Sequence, residues 1–524
     1  MDTATDKNWH HWRHRRSHKI NPLNYLYITL LSFCAFFPLL QNSLFWNEYD
    51  EVNRSFYPTL ASWSSIFSSS VFWNDNPIAL ASYFIESLIP LPDAFTHRFI
   101  NILLHSSAAI LLFRLLNRMH ISGAFLTSLI FTIHPVVVQT LFWPGYRSII
   151  IVLCLTLWCL YLALDRKNKK NSNLAFFLSG FIAIIHPIAL VIPLILFLNS
   201  FVKNKKFKFE NFNKVIPYVV VVLILSIISE ILETRSLDQL NLIVTESTEK
   251  IPSFNYQLIE YFKIIYFPFG SAFFNPIDIH PNFFSLYLLS YFVLFLIFLF
   301  LFFKINTIWS RLLIMGTSLL FTLLVYACCQ NGFFLDGAYA LDDSLIYITI
   351  IPAIAIVTSS INAFVVHRAS QFKILWYAIA GILIVISTGI SLSRSLLYSN
   401  PLNVWEYFNA TWSDSITPKK AMSDYLFSNG YNKYTINDHI YFLEFIIRKS
   451  PNNNDQKVQL ARLYIQDGLN ENAQKLYERI VFDDQIRDTK ILEEAADFFE
   501  LQGLYWDARK TRDLLDEIVQ QTRE

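Results

Sequence analysis

Three carboxylates stand close together just after the first apolar segment of the chain. Glu48, Asp50 and Glu51 lie in the run Asn-Glu-Tyr-Asp-Glu-Val. A carboxylate in a partly dry pocket can have a pKa that suits it to accept a proton during a reaction. The run is therefore a candidate for acid–base chemistry at a membrane surface, and the alternative is an ordinary solvated loop.

A single arginine ends the next short loop between apolar segments. This loop covers residues 135–146, is rich in aromatic residues, and ends at Arg147, where a new apolar segment begins. The planar guanidinium can pair with phosphate oxygens through two hydrogen bonds, so we predict that Arg147 binds a lipid-linked phosphate. Trp143 and His134 are further candidates for this phosphate site, although for His134 a hydrogen bond between helices is the favoured role. The alternative is an arginine that snorkels to the lipid headgroups and anchors the following segment.

Other polar residues interrupt the apolar segments themselves. His97, Asn101 and His105 are four positions apart, which places them on one face of a helix. Polar side chains in membrane helices commonly bond to neighbouring helices, so this role is favoured over metal or ligand binding, although the three residues are also candidates to line a pocket. His186 directly precedes Pro187 inside an apolar stretch, which predicts a broken helix facing a cavity.

These residues must be positioned by a membrane domain. The chain has 524 residues, of which 54% are hydrophobic and only 16% charged, too few charged residues for the surface of an ordinary soluble enzyme. The formal net charge of +1 argues against nucleic acid as a partner, because binding DNA or RNA requires a basic surface. Membrane lipid is the expected surrounding.

Lys and Arg in the short loops predict how the chain crosses the bilayer. A basic N-terminus at residues 1–21 is expected to be cytoplasmic, and residues 22–399 are expected to form about 11 membrane segments, nine full spans and two half-length helices that meet at His186. Outside loops are predicted at 42–98 and 233–282. Residues 400–524 would then lie on the extracytoplasmic side.

The C-terminal region contains an internal repeat. Ala461, Gly468 and Ala473 recur 35 positions later as Ala496, Gly503 and Ala508. Small residues where two helices cross and Gly at the turn, with a period near 34, are typical of tetratricopeptide repeats. We therefore predict an α-solenoid, which would either bind a polypeptide partner or cap the membrane domain.

Several of these motifs together resemble a known family of membrane enzymes. The helix motif His97, Asn101, His105 and the loop motif His134-Pro135, Trp143, Arg147 are similar to those of the tetratricopeptide-containing transmembrane O-mannosyltransferases and their bacterial relatives. Further matches are Phe267-Pro268-Phe269, the run from Asp342-Asp343 to Tyr347, the C-terminal repeats, and Tyr49-Asp50-Glu51-Val52, which also resembles the Asp-Glu motif of protein O-mannosyltransferases. Gln139 stands where the loop motif of the family has a glutamate.

The resemblance implies an all-α, polytopic GT-C fold and inverting transfer of a sugar from a polyprenyl-phosphate donor to a hydroxyl of a secreted or envelope protein. Asp50 would be the base, Glu51 would orient the acceptor, and Glu48 is the reserve candidate. Arg147 would stabilise the leaving phosphate. Asp343 and Tyr347 are added as pocket candidates. Because Gln139 and other positions depart from the family motifs, the resemblance implies the reaction class and not the sugar.

Two other functions fit the same sequence. One is a membrane-anchored tetratricopeptide scaffold without catalysis, and the other is a transporter or flippase for lipid-linked glycans. No residue spacing indicates a metal site, and the GT-C class includes both enzymes that need a divalent cation and enzymes that do not. The composition suggests a bacterial inner-membrane protein with periplasmic repeats, which would recruit the acceptor protein.

Overall fold

The computed structural model describes residues 21–41, 77–87, 89, 93–142, 146–165, 168–204, 213, 215–240, 275–276, 333–335, 338–341, 346–367, 370–411, 413–430, 433–451, 453–484 and 487–521. These residues are almost entirely helical, as predicted, and they belong to two compact units. The first unit reaches Asn400, and the second comprises residues from Pro401 onwards with the short stretch 334–338.

The first unit is a bundle of helices. In chain order its helices are α1 (Leu23–Phe36), α2 (Pro77–Ser87), α3 (Asp93–Arg118), α4 (Ala124–Thr132), α5 (Val137–Phe142), α6 (Arg147–Ala163), α7 (Lys169–Ile185), α8 (Val191–Asn204), α9 (Ile216–Leu240), α10 (Ile346–His367) and α11 (Lys373–Leu397). Short 3-10 turns add Phe37–Gln41, Pro187–Leu190 and Ser370–Phe372. The strands are β1 (Asn275–Pro276), β2 (Phe333–Leu335) and β3 (Ala338–Leu341), and β1 pairs antiparallel with β3 in the register Asn275 to Leu341.

Four stretches of the described chain are long and apolar enough to cross a membrane: Leu23–Gln41, Ala94–Arg118, Ile346–Val365 and Ser370–Leu397. Large apolar side chains of α11, such as Ile374 and Val385, are mostly exposed, which suits a helix that faces lipid. These findings are consistent with an integral membrane protein. Two of the eleven segments that the sequence predicts, residues 283–303 and 312–329, lie outside the described residues, so the number of eleven segments stays a prediction.

Helix α3 is at the centre of this bundle. It packs against α1, α2, α4, α5 and α6. Helix α3 starts at Asp93, so the end of the predicted outside loop 42–98, including His97, is helical. Similarly, α9 extends to Leu240, so residues 233–240 of the predicted outside loop 233–282 are helical. On which side of the membrane the two loops lie stays a prediction.

The predicted break at His186 is present. Helix α7 ends at Ile185, His186 has an extended backbone, and a 3-10 turn starts at Pro187 before α8. The side chain of His186 accepts a hydrogen bond from the backbone N–H of Ile188 at 3.1 Å, which caps this turn. One of the backbone N–H groups that lose their helical partner at this break is therefore hydrogen-bonded by the side chain of His186.

The second unit consists of helices that pack onto their neighbours in sequence. They are α12 (Pro401–Thr411), α13 (Ile416–Asn429), α14 (Ile436–Lys449), α15 (Asn454–Gln466), α16 (Asn470–Glu478), α17 (Thr489–Leu501) and α18 (Tyr505–Gln521). The 35-residue sequence repeat corresponds to the pairs α15–α16 and α17–α18, and its alanines and its aromatic positions Tyr464 and Phe499 are buried. Gly468 and Gly503 have φ near +80°, a left-handed conformation that glycine adopts without strain, and each follows the first helix of its pair.

Some charged residues of this unit form ion pairs and hydrogen bonds between its helices. The carboxylate of Glu494 accepts hydrogen bonds from Arg462 Nε at 2.7 Å and from the Tyr477 hydroxyl at 2.8 Å. These bonds favour the charged form, so the guanidinium of Arg462 holds the pKa of Glu494 below its usual value. The fully buried ammonium of Lys457 pairs with Asp484. Both interactions join segments that are distant in sequence, so they help to hold the helix pairs of this unit in one packing arrangement.

Candidate functional site

The guanidinium of Arg147 is held on all three nitrogens by the protein. Arg147 is the first residue of α6 and is fully buried. Its Nη1 lies 2.6 Å from Glu86 Oε2, its Nε donates to Asn101 Oδ1 at 2.7 Å, and its Nη2 donates to the carbonyl oxygen of His97 at 2.8 Å. The snorkelling alternative is therefore wrong, because Arg147 lies inside the helix bundle.

Glu86 of α2 contacts two bases at once. Its Oε2 also contacts His97 Nδ1. One turn before Glu86, the ring of Tyr83 lies edge-on to His97 at 5.3 Å and 4.6 Å from the guanidinium carbon of Arg147. We call Tyr83, Glu86, His97, Asn101 and Arg147 the Glu86 cluster. All five residues are at most 4% exposed.

Simple helix periodicity brings these side chains together. Tyr83 and Glu86 are three residues apart, and His97 and Asn101 are four apart, so each pair lies on one face of its helix. The amide of Asn101 also donates to the carbonyl of Leu141 at 3.0 Å, which ties the cluster to α5. The cluster therefore fixes α2, α3, α5 and α6 relative to one another.

The Glu86 cluster contains one carboxylate and one guanidinium, which offset each other in charge. Burying such a pair costs free energy that the mutual attraction only partly returns, and in a membrane domain ionisable groups inside the bundle usually mark a functional site. Within the described part of the chain neither oxygen of the carboxylate has a hydrogen-bond partner, and the ion-pair contacts to Arg147 and His97 are both made by Oε2, not by Oε1. The cluster can therefore accept a further hydrogen bond.

His105 and Tyr347 form a separate polar contact. His105 Nδ1 lies 2.8 Å from the Tyr347 hydroxyl and its Nε2 lies 3.0 Å from the carbonyl oxygen of Thr132. A carbonyl oxygen can only accept, so Nε2 carries the proton and Nδ1 accepts from Tyr347. Together with His97 and Asn101, His105 thus makes the interhelical bonds favoured by the sequence pattern.

The structure places His134 in a turn and not at an open surface. Its Nδ1 accepts from the backbone N–H of Val136 at 3.3 Å in the buried turn before α5. His186 lies at the separate break between α7 and α8. Glu48, Asp50, Glu51, Trp143 and Asp343 lie outside the described residues.

Sequence reasoning missed Glu86 and Tyr83, because their segment was assigned to a solvated outside loop. The signal was present: Glu86 is a single carboxylate in the run Tyr-Phe-Ile-Glu-Ser-Leu-Ile. It also missed Arg98, which is 1% exposed and whose guanidinium carbon lies 4.7 Å from the centre of the Phe142 ring.

A comparison of the chain with models of known protein families finds no match, and a comparison with curated proteins finds none either. Any function assigned to this chain therefore depends on its own residues and their geometry.

Proposed function

We propose that this protein is a GT-C type membrane glycosyltransferase that moves a sugar from a polyprenyl-phosphate donor to a hydroxyl of a secreted or envelope protein. The observation that carries the proposal is the Glu86 cluster, a buried set of ionisable groups inside an apolar helix bundle. Such groups are costly to place there, and a reaction on a charged lipid substrate gives them a use.

In the proposed reaction the acceptor oxygen attacks the anomeric carbon of the sugar. The bond from this carbon to the phosphate oxygen breaks, and the polyprenyl phosphate leaves with the electron pair. Asp50 takes the proton of the acceptor hydroxyl, with Glu51 orienting the acceptor and Glu48 as the reserve base. The attack comes from the face opposite the phosphate, which inverts the configuration.

The leaving phosphate is negatively charged and needs a positively charged side chain to stabilise it. Arg147 was assigned to this role together with Trp143 and His134, but its Nη1 is already paired with Glu86. A phosphate would have to replace Glu86 at this nitrogen. We therefore add Arg98 as a phosphate-binding candidate, because it lies against Phe142, the residue that directly precedes Trp143.

We further propose that the second unit is a tetratricopeptide solenoid on the extracytoplasmic side, which in a bacterial inner membrane is the periplasm, and that it recruits the acceptor protein. The two helix pairs that match the 35-residue repeat support this assignment. Solenoids usually bind partners along an extended surface.

The proposal is tested by Asp50→Asn, with Asp75→Asn as the matched control in the same predicted loop. Lipid-linked sugars and envelope glycoproteins are compared by mass spectrometry in cells that carry wild type or either variant at equal membrane levels. We expect a glycoform that depends on the wild type, disappears with Asp50→Asn and persists with Asp75→Asn. Identical glycoforms in the presence and absence of the protein would overturn the proposal.

A scaffold without catalysis is the second candidate, favoured by the independent core of the second unit. In that case removal of residues 401–524 would abolish the cellular effect of the protein, and Asp50→Asn would not change it. If the protein is an enzyme, Asp50→Asn should abolish its cellular effect.

A further inference from the structure

Helix α5 carries two adjacent buried polar side chains, Gln139 and Thr140. Gln139 is 3% exposed, and neither its amide oxygen nor its amide nitrogen has a hydrogen-bond partner among the residues that the structure describes. The next residue, Thr140, is fully buried, and its hydroxyl likewise has no partner in the described ranges. Buried polar groups in folded proteins are nearly always bonded, so two adjacent exceptions need a cause.

Asn101 provides the contrast within the same bundle. It has the same amide group as Gln139, and both of its polar atoms are bonded: Oδ1 accepts from Arg147 and Nδ2 donates to Leu141. An amide that serves the architecture is thus satisfied by neighbouring helices. Among the residues that the structure describes, Gln139 has no such partner to compensate for its lost hydration, so the described contacts do not give it a stabilising role.

Gln139 and Thr140 lie on a helix that packs against two helices of the Glu86 cluster. Helix α5 packs against both α3 and α6, which carry the cluster residues Asn101 and Arg147. The carbonyl of Leu141, two positions after Gln139, is only two hydrogen bonds away from the guanidinium. Helix α2 packs against the same two helices, and its Glu86 Oε1 also has no hydrogen-bond partner among the described residues.

The hydrogen-bond donors and acceptors of this site indicate the chemical class of its ligand. Glu86 Oε1 accepts, the Gln139 amide donates and accepts, and the Thr140 hydroxyl does both. A phosphate only accepts, so it cannot satisfy the acceptors of Glu86 and Gln139. A cation would satisfy these acceptors, but the positively charged guanidinium of Arg147 would repel it. Neutral hydroxyl groups donate and accept, and they suit a cluster whose two charges offset each other.

We propose that Gln139, Thr140 and Glu86 Oε1 form a binding site for an uncharged, hydroxyl-rich group, the sugar of the lipid-linked donor. This inference rests on the proposed function, and it assigns sugar recognition to α5. Gln139 is the main recognition residue, because it supplies both a donor and an acceptor.

The test is binding of defined lipids to purified protein in nanodiscs. The probes are undecaprenyl phosphate carrying glucose, mannose or N-acetylglucosamine, and undecaprenyl phosphate alone. Gln139→Met removes both hydrogen-bonding groups at similar volume, and Gln456→Met is the control, because Gln456 is a similarly buried amide in the second unit. Affinities are measured by native mass spectrometry.

We expect wild type and Gln456→Met to bind one sugar-bearing lipid about tenfold more tightly than the unglycosylated lipid, and Gln139→Met to lose this preference while its affinity for undecaprenyl phosphate is unchanged. If Gln139→Met kept the full preference for the sugar-bearing lipid, the inference would be overturned and the proposed function would not. Failure of wild type to bind any of the four lipids would overturn the proposed function and the inference with it.

Thermal unfolding without ligand provides a second readout. If Gln139 is unsatisfied in the free protein, methionine at this position should leave the midpoint unchanged or raise it. A lowered midpoint would show that Gln139 is bonded within the fold and would overturn the assignment.

Discussion

Replacing Glu86 with glutamine should destabilise the first unit strongly. Glu86 and Arg147 are both at most 2% exposed, and they form an ion pair in which Glu86 Oε2 lies 2.6 Å from Arg147 Nη1. Glu86→Gln keeps the shape of the side chain but leaves the positive charge of Arg147 buried without its counter-charge. Breaking a buried pair from one side typically costs about 3–5 kcal/mol in the free energy of unfolding.

A second ion pair of the same bundle provides the internal comparison. Arg118 and Asp165 lie 2.9 Å apart, but their side chains are 26% and 28% exposed. Water screens this pair, so Asp165→Asn should cost only about 0–1 kcal/mol. The difference between the two substitutions isolates the effect of burial, because the chemical change from carboxylate to amide is the same.

The assay is a double-mutant cycle on protein purified in detergent. Glu86→Gln, Arg147→Met and the double variant are unfolded by denaturant, and the free energies of unfolding are compared. We expect the double variant to lose less stability than the sum of the single variants by about 2 kcal/mol or more, since residues in one ion pair are coupled. Additive effects, or equal losses for Glu86→Gln and Asp165→Asn, would refute the pairing described for Arg147.

Three further outcomes follow from other parts of the chain. Gly123→Ala should destabilise by about 1–2 kcal/mol in denaturant unfolding, because Gly123 has φ of +76° and a Cβ there would lie 3.3 Å from the carbonyl of Thr358. Burial lowers the pKa of His439 to about 4, so the unfolded chain binds a proton at this residue more readily than the folded chain does. The free energy of unfolding of the second unit should therefore fall by about 2–3 kcal/mol between pH 7 and pH 4, measured by hydrogen exchange corrected for pH. His439→Gln should reduce this loss. Lys457→Met should cost less than Lys457→Glu, which would place two carboxylates together, and limited proteolysis of the second unit should show that order.

Local patterns in the sequence predicted the elements that depend on local rules. The spacing of His97, Asn101 and His105 indicated one helical face, and His186-Pro187 indicated the break that the structure contains. The 35-residue repeat indicated the helix pairs of the second unit, because small residues and turn glycines recur at fixed positions. These features require only the helix period and the backbone preferences of Pro and Gly.

The partner of Arg147 could not be predicted in this way. A guanidinium at the start of an apolar segment suits a lipid phosphate, a headgroup contact or a buried carboxylate equally well, and only the packing of α2 against α6 decides between them. Glu86 lies in an apolar helix of 11 residues, which is shorter than the about 20 residues that indicate a membrane span. Long-range pairing of charges depends on tertiary packing, which no local period encodes.

The polar residues inside the first unit fall into two classes with different physical meaning. His105 and Asn101 have partners for both of their polar side-chain atoms, and each joins helices, so stability suffices to explain them. Gln139 and Thr140 have no hydrogen-bond partner in the described ranges, so their burial removes hydration that no described contact returns. Since the two classes are neighbours in one bundle, a general looseness of packing does not explain the difference. A binding role does, because the bond that is absent in the free protein would form only when a ligand arrives, and its free energy would then go to selecting that ligand.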